Sequence, residues 1–96
     1  MTKLFLIVKA EVEESIEDQW NEWYNTIHVP EVMACPGFLS ARRLLSLDKS
    51  TYIAIYELES EAAINTDEFR AVSGWGVFSE SVRSESGIYD SILSLK

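Results

Sequence analysis

The chain has 96 residues, of which 47% are hydrophobic and 25% charged, an ordinary globular composition that predicts one domain over residues 1–96. Its formal net charge of −8 argues against two classes of partner. Nucleic acids need Lys and Arg to neutralise their phosphates, and anionic membranes attract basic rather than acidic proteins.

Two further features indicate a cytoplasmic protein. Cys35 is the only cysteine, so no disulfide can form within the chain, which suits a reducing compartment. The apolar run at residues 4–8 is too short for a secretory signal or a membrane-spanning helix. We therefore expect a cytoplasmic location and no association with membranes.

Residues 3–12 predict a first strand, and residues 15–28 a first helix. In the helix, large apolar side chains recur every three or four positions, as an amphipathic helix requires. They are Ile16, Trp20, Trp23, Tyr24 and Ile27. Pro30 lacks the N–H that a helix interior needs, so we expect it to stop or sharply kink the helix near residues 28–29.

The second half alternates in the same way. Residues 38–47 and 51–58 predict two strands joined by a turn at 47–51. Residues 60–74 predict a helix that Asn65 and Thr66 divide, with Thr66 as the N-cap of the second piece. A short helix at 75–82 and a strand at 86–95 complete the chain.

This order, β-α-β-β-α-β, is that of a ferredoxin-like α+β fold, a four-stranded antiparallel sheet with both helices on one face. The first strand is apolar on both faces. So is the third, where Ile53 and Ile55 alternate with Tyr52, Ala54, Tyr56 and Leu58. A sheet that is apolar on both faces needs a second cover. We expect a homodimer in which the same sheet of a second subunit supplies it.

The stretch "WNEWYNTIHVPE", followed by "PGFLSARR", resembles the signature of EthD-like proteins in the dimeric α+β barrel superfamily. Their first helix ends in W-Y-x-x-x-H-x-P, and a P-G-F turn and a strand with A-R-R follow. The later "YELESEAAINTDEFRAV" resembles their second half. The resemblance implies the ferredoxin-like fold paired sheet to sheet as a dimeric barrel. The superfamily includes monooxygenases, cyclases, lyases, isomerases and haem-acting enzymes.

His28, the only histidine, is the first candidate for catalysis. Its ordinary pKa of about 6.5 suits proton transfer at neutral pH, and it lies one turn after Tyr24 at the edge of the apolar stripe. The Tyr24 hydroxyl could orient a carbonyl or a phenol. The alternative is a helix-end histidine that contacts the last carbonyl groups.

The aromatic residues have two interpretations. Trp20 and Trp23 are either core residues or walls of a cavity for a flat, apolar substrate. Trp75 and Phe78 are either a flexible lid, because two glycines flank Trp75, or a plug that closes the end of the barrel. An open cavity that contains His28 would favour an enzyme, and a cavity filled by tryptophans would favour a non-catalytic module.

Arg42 and Arg43 are adjacent on a strand, so they point to opposite faces. The inward one needs a partner, for which Glu31 and Glu57 are candidates. It either forms a structural ion pair or anchors a carboxylate or an enolate.

The sequence favours a small cofactor-independent enzyme. It would act by acid/base chemistry on a hydrophobic, aromatic or polyketide-like carbonyl or phenol, as a cyclase, lyase, isomerase or monooxygenase. His28 would be the acid/base, and Tyr24 with Arg43, or with Arg42, would stabilise an enolate. The resemblance alone suggests haem binding as a further possibility. No metal is expected, because His28 and Cys35 without clustered carboxylates are not a standard ligand set. The alternative is a non-catalytic dimeric module that binds a small ligand or accompanies an enzyme.

Overall fold

Four antiparallel strands form a single sheet in the computed structural model, which describes residues 3–95. They are β1 (Leu4–Val12), β2 (Phe38–Leu45), β3 (Tyr52–Leu58) and β4 (Val82–Asp90), in the spatial order β2-β3-β1-β4. The helices pack on one face of this sheet. The ferredoxin-like α+β fold predicted from the sequence is therefore confirmed, with β1 and β3 at the centre of the sheet.

The last strand lies earlier in the chain than the sequence predicts. It begins at Val82 rather than at residue 86, and it ends at Asp90 rather than at residue 95. The first half of the strand is polar at residues 83–86 and so lacks the apolar pattern by which strands are predicted. Its backbone nevertheless pairs with β1, and the Arg83 side chain donates to Glu11 at 2.7 Å across that pairing. Residues 91–95 lie beyond the sheet and expose Ile92 and Leu95.

The first helical segment continues past Pro30. A 3₁₀ turn (Glu14–Ile16) leads into α1 (Glu17–Trp23), a π-helical turn (Tyr24–His28) and α2 (Val29–Met33). Of the two outcomes predicted for Pro30, a stop or a sharp kink, the stop is therefore wrong. Pro30 cannot donate to the preceding turn, and the wider π turn, in which the Val29 N–H bonds to the Tyr24 carbonyl five residues back, accommodates it without ending the helix. None of the helices described within residues 3–95 is long and apolar enough to cross a membrane.

The π turn keeps one row of side chains facing the sheet. Trp20, Tyr24, His28 and Val32 are four residues apart, and all are at most 5% exposed. In a regular α-helix such a row would drift by roughly 40° at each step and turn away from the core. The extra residue in the π turn offsets this drift, so His28 remains inside instead of at the helix edge.

The second helical segment divides as the sequence predicts. A 3₁₀ turn (Glu61–Asn65) precedes α3 (Asp67–Val72), and the Thr66 hydroxyl caps α3 by accepting from the Phe69 N–H at 3.0 Å. Another 3₁₀ turn (Gly76–Ser81) then leads into β4.

Both faces of the sheet carry clusters of apolar residues. The face under the helices carries the buried residues Leu6, Ala10, Ala54, Tyr56 and Leu58. The opposite face carries half-buried and exposed apolar side chains, here called the open face: Phe5, Ile7, Leu44, Ile53, Ile55 and Tyr89. Register places them side by side, since Ile7 pairs with Ile55 and Phe5 pairs with Tyr89. The predicted second apolar face is therefore present as this patch, and register places Lys9, Arg42, Glu57 and Glu85 around it on the same face.

Candidate active site

A cavity of about 300 Å³ lies between the sheet and the helices. Leu6 and Val8 of β1 and Tyr56 of β3 line it from the sheet, while Tyr24 and His28 line it from the π turn. Val32, Ile64, Phe69, Ser73, Gly74, Trp75, Ser84 and Ser86 complete the lining. This volume is at the lower end of the roughly 300–1,000 Å³ typical of small-molecule sites.

His28 is buried in this lining, with 5% of its surface exposed. Its ring stacks on Trp23 at 4.7 Å between centroids and meets the edge of Tyr24 at 5.2 Å. Within residues 3–95, its Nδ1 has no hydrogen-bond partner. Burial, reinforced by the charge of Arg43, lowers the pKa of His28 to about 4. The imidazole is therefore neutral at pH 7 and keeps one nitrogen able to accept a proton.

Two tyrosines lie beside His28 in the cavity lining. Burial raises the pKa of Tyr24, although the neighbouring Tyr56 hydroxyl and Arg43 oppose the rise. Burial also raises the pKa of Tyr56, and proximity to Tyr24 adds to it. Both phenols are thus protonated at neutral pH and can act as hydrogen-bond donors. The Tyr56 hydroxyl is buried and makes no hydrogen bond of good geometry with any residue of the described chain.

Arg43 points toward the helices, and Arg42 lies on the opposite face, where it is exposed. The Arg43 guanidinium stacks over the Tyr24 ring at 3.9 Å and donates to the side-chain oxygens of Asn25, at 2.7 Å, and Asn21, at 2.8 Å. The sequence proposed a glutamate as its partner, and this is wrong, because both partners are amides. Arg43 does not line the cavity but lies behind Tyr24.

A chain of polar groups holds these amides in place. The Tyr52 hydroxyl donates to Glu17 at 2.5 Å and accepts from the Asn21 amide nitrogen at 2.8 Å. This fixes the Asn21 amide so that its oxygen faces Arg43. The guanidinium is therefore positioned by neutral groups, and its positive charge stays close to Tyr24 and His28.

The aromatic residues predicted for the site take different positions. Trp20 is fully buried and packs against Tyr24 at 5.2 Å, outside the cavity lining. Trp23 and Phe78 lie 5.4 Å apart and form the packing behind His28. Of the predicted tryptophans and Phe78, Trp75 alone is a lining residue among those described. The tryptophans therefore surround the cavity without filling it.

Trp75 has the position of a cover. Gly74 and Gly76 on either side of it adopt φ angles of 93° and 55°, in the left-handed region that glycine tolerates best. Its indole N–H donates to the Ser84 hydroxyl at 2.9 Å, and its ring lies 5.8 Å from His28. Aromatic packing against Tyr24 and His28, together with this hydrogen bond to β4, holds it over the site.

The sequence reasoning did not identify Tyr56 as a site residue. Strand alternation places Tyr56 on the helix side of β3, but nothing in the sequence shows that its hydroxyl is left without a partner. Cys35 is buried outside the lining, and burial raises the pKa of its thiol, which disfavours a nucleophilic role. Among residues 3–95, no group of three His, Cys, Asp or Glu is placed to hold a metal ion.

A family model described as a domain of unknown function, DUF4286, matches residues 3–70. The chain belongs to this family. Among curated proteins, no significant match was found.

Solved structures show the same fold across nearly the whole chain. SnoaB from Streptomyces nogalater, a cofactor-independent oxygenase, superposes with a TM-score of 0.80 at 14% identity, covering 99% of this chain and 98% of SnoaB. A putative monooxygenase from Shewanella loihica PV-4 superposes with a TM-score of 0.74 at 19% identity, covering 98% of this chain and 99% of the Shewanella protein. An ethyl tert-butyl ether d (EthD) family protein from Bacillus halodurans superposes with a TM-score of 0.66 at 14% identity, covering 88% of this chain and 96% of the Bacillus protein. The predicted resemblance to EthD-like and related barrel proteins is confirmed in the fold.

Proposed function

We propose that this DUF4286 protein is a small cofactor-independent enzyme that removes a proton from a hydrophobic, aromatic or polyketide-like carbonyl or phenol. One observation supports it most directly: a buried, neutral histidine with an unpaired Nδ1 lines an open apolar cavity beside two phenols. A general base must be unprotonated at the working pH and within reach of the substrate. His28 meets the first condition because burial and Arg43 disfavour its charged form.

The groups around His28 suit the negative charge that such a step creates. Tyr24 is a protonated donor in the cavity lining, and the Arg43 charge lies 3.9 Å behind its ring. Fixed donors and charges in a water-poor site stabilise a developing enolate or phenolate much more than they would in water. Arg43 acts through Tyr24 in this proposal and is a positioning residue.

Among the reaction types, oxygenation is favoured, because SnoaB and the Shewanella protein share this fold and are named as oxygenases. His28 takes a proton from an activated CH₂ group, and the carbanion gives its electron pair to O₂. A C–O bond forms, the proton returns, and the hydroperoxide loses water to leave a carbonyl. The balance is CH₂ + O₂ → C=O + H₂O, with O₂ as the oxidant.

The functional unit in this proposal is a homodimer. The open face carries six large apolar side chains, and the exposed fraction is 43% for Leu44 and 54% for Tyr89. A contiguous apolar patch on a sheet is typical of a surface that another protein covers. The identical face of a second copy is complementary in composition and gives a closed two-fold contact.

Proton abstraction can be tested before the natural substrate is known. Hydrogen–deuterium exchange at the carbon next to a carbonyl, followed by NMR on a β-keto ester and on anthrone, reports removal of the proton directly. O₂ uptake on the same compounds reports oxygenation. We expect exchange to be accelerated by the protein and lost in His28→Phe, which preserves a flat ring against Trp23.

The outcomes separate the candidate functions. Exchange without O₂ uptake would indicate a lyase or an isomerase, and exchange with O₂ uptake an oxygenase. Binding of these compounds without any exchange would overturn the enzyme proposal and favour the non-catalytic binding module. That module remains the second candidate, because an apolar cavity covered by a tryptophan would also serve ligand storage.

A further inference from the structure

Tyr56 carries a polar atom whose burial the fold does not explain. It is 2% exposed, and its hydroxyl lies beside the Tyr24 hydroxyl but makes no hydrogen bond of good geometry with any residue described. Leaving a buried hydroxyl unpaired costs about 1–3 kcal/mol, and folded proteins therefore rarely keep one without a reason. Phenylalanine would fill the same space without this cost.

The position of Tyr56 is fixed, and it lies at the cavity. Its ring packs edge-on against Phe38 at 5.7 Å, and its strand position is paired with Leu6, which also lines the cavity. His28 lines the same cavity with a second buried polar atom that has no partner. Two residues that line one apolar cavity thus each carry a buried polar atom without a well-formed hydrogen bond, which points to a ligand that would pair with both.

The chemistry of the two groups differs in a useful way. Burial keeps the Tyr56 phenol protonated, so it can donate to an oxygen of the ligand. The neutral His28 can accept a proton. A donor beside a base is the arrangement needed at a carbonyl whose neighbouring carbon or hydroxyl loses a proton, because the carbonyl oxygen gains the negative charge.

We propose that Tyr56 is a further substrate-contacting residue, whose hydroxyl donates to the carbonyl oxygen of the ligand and to the enolate formed from it. The ligand class is a flat, apolar aromatic ketone that can enolise. This inference rests on the proposed function for the identity of the ligand class, whereas the Tyr56 contact itself can be measured without catalysis.

A matched pair of ligands tests the contact. In 2-acetonaphthone the ring bears C=O, and in 2-isopropenylnaphthalene it bears C=CH₂ of nearly the same shape. We expect the protein to bind the ketone about tenfold more tightly than the hydrocarbon, as one buried hydrogen bond allows. In Tyr56→Phe this ratio should fall to one or below, because the ketone oxygen then gives up its hydrogen bonds to water without a donor to replace them.

Tyr89→Phe is the control, since it also removes one phenol hydroxyl. Tyr89 lies on the open face of the sheet and does not line the cavity. The control should keep the ketone preference, because it leaves the cavity lining unchanged. Tyr56→Phe should lose the preference while its Tm is unchanged or raised. A preference that survives Tyr56→Phe would overturn the inference.

The infrared carbonyl stretch of the bound ketone gives a measurement that needs no variant. It should lie below its frequency in hexane, as for a hydrogen-bonded carbonyl, and an unshifted stretch would overturn the inference even if Tyr56→Phe failed to fold. The result is separable from the proposed function. Exchange that depends on His28, with no ketone preference, would support the enzyme proposal and overturn the Tyr56 contact. A ketone preference that Tyr56→Phe abolishes, without exchange, would support the contact and overturn the enzyme proposal.

Discussion

Lowering the pH from 7 to 5 should destabilise this fold through His28. Burial and Arg43 hold the pKa of His28 at about 4 in the folded state, whereas its ordinary value of 6.5 applies in the unfolded chain. Between these two values the unfolded state binds more protons than the folded one. The free energy of unfolding is therefore highest above pH 6.5, falls as the pH drops through this window, and levels off below about pH 4.

The magnitude follows from the two pKa values. Linkage gives a loss of about 2 kcal/mol between pH 7 and pH 5, and about 3 kcal/mol once the pH is below both values. A small domain has a total stability of only about 5–15 kcal/mol, so this loss is easily measured. Because His28 is the only histidine, no other imidazole contributes.

Urea unfolding, followed by tryptophan fluorescence at pH 7 and at pH 5 and at one protein concentration, measures the loss. His28→Phe is the comparison, since its ring can stack on Trp23 but cannot titrate. The wild-type protein should lose about 2 kcal/mol more than the variant over this interval, the carboxylates contributing equally to both. Equal losses would refute the reasoning, and so would an imidazole that titrates near pH 6.5 by NMR in the folded protein.

Four further substitutions have defined outcomes. Arg43→Gln should raise the pKa of His28 toward 6.5, as measured from its imidazole C–H signals, and an unmoved midpoint would leave burial as the whole cause. Gly37→Ala should lower the free energy of unfolding by about 2 kcal/mol or more, because φ is 89° and the added Cβ would lie 2.8 Å from another Cβ. Gly74→Ala, with a φ of 93° and open space around it, should lose only about 1 kcal/mol in the same urea titration, and the reverse order would contradict the packing argument. Ile55→Lys on the open face should give a folded monomer by circular dichroism and light scattering, and a wild-type protein that is itself monomeric at micromolar concentration would remove the dimer proposal.

The fold could be predicted because short sequence patterns identify most of its strands and helices. Alternating apolar residues identify the two central strands, and Thr66 identifies the start of α3 through the cap that it forms. Local sequence signals do not predict the first helix correctly. Pro30 carries a strong local signal to stop, but the burial of Val32 one turn later favours continuation, and the π turn satisfies both. Packing energy, which a local pattern does not contain, decides this element.

The site could be predicted only in its residue types. The sequence identifies His28 and Tyr24 by spacing, and both line the cavity. It also predicts that one of two adjacent arginines faces inward, but strand alternation cannot say which. The strand register shows that Arg43 is the inward one, because it is paired with the buried Ala54. Tyr56 could not be identified at all, because an unpaired hydroxyl depends on the positions of all its neighbours.

The amide partners of Arg43 give the site its electrostatic character. A carboxylate at the position of Asn21 or Asn25 would form an ion pair with the guanidinium and cancel most of its field. The amides hold Arg43 in place through hydrogen bonds at 2.7 and 2.8 Å but leave its charge uncompensated. Burial makes that charge costly, which is why the pKa of Arg43 is itself lowered. The charge also disfavours a proton on His28 and would favour an anion beside Tyr24. The uncompensated charge of Arg43, which lowers the stability of the ligand-free protein, is therefore also the charge that would stabilise an enolate in the cavity.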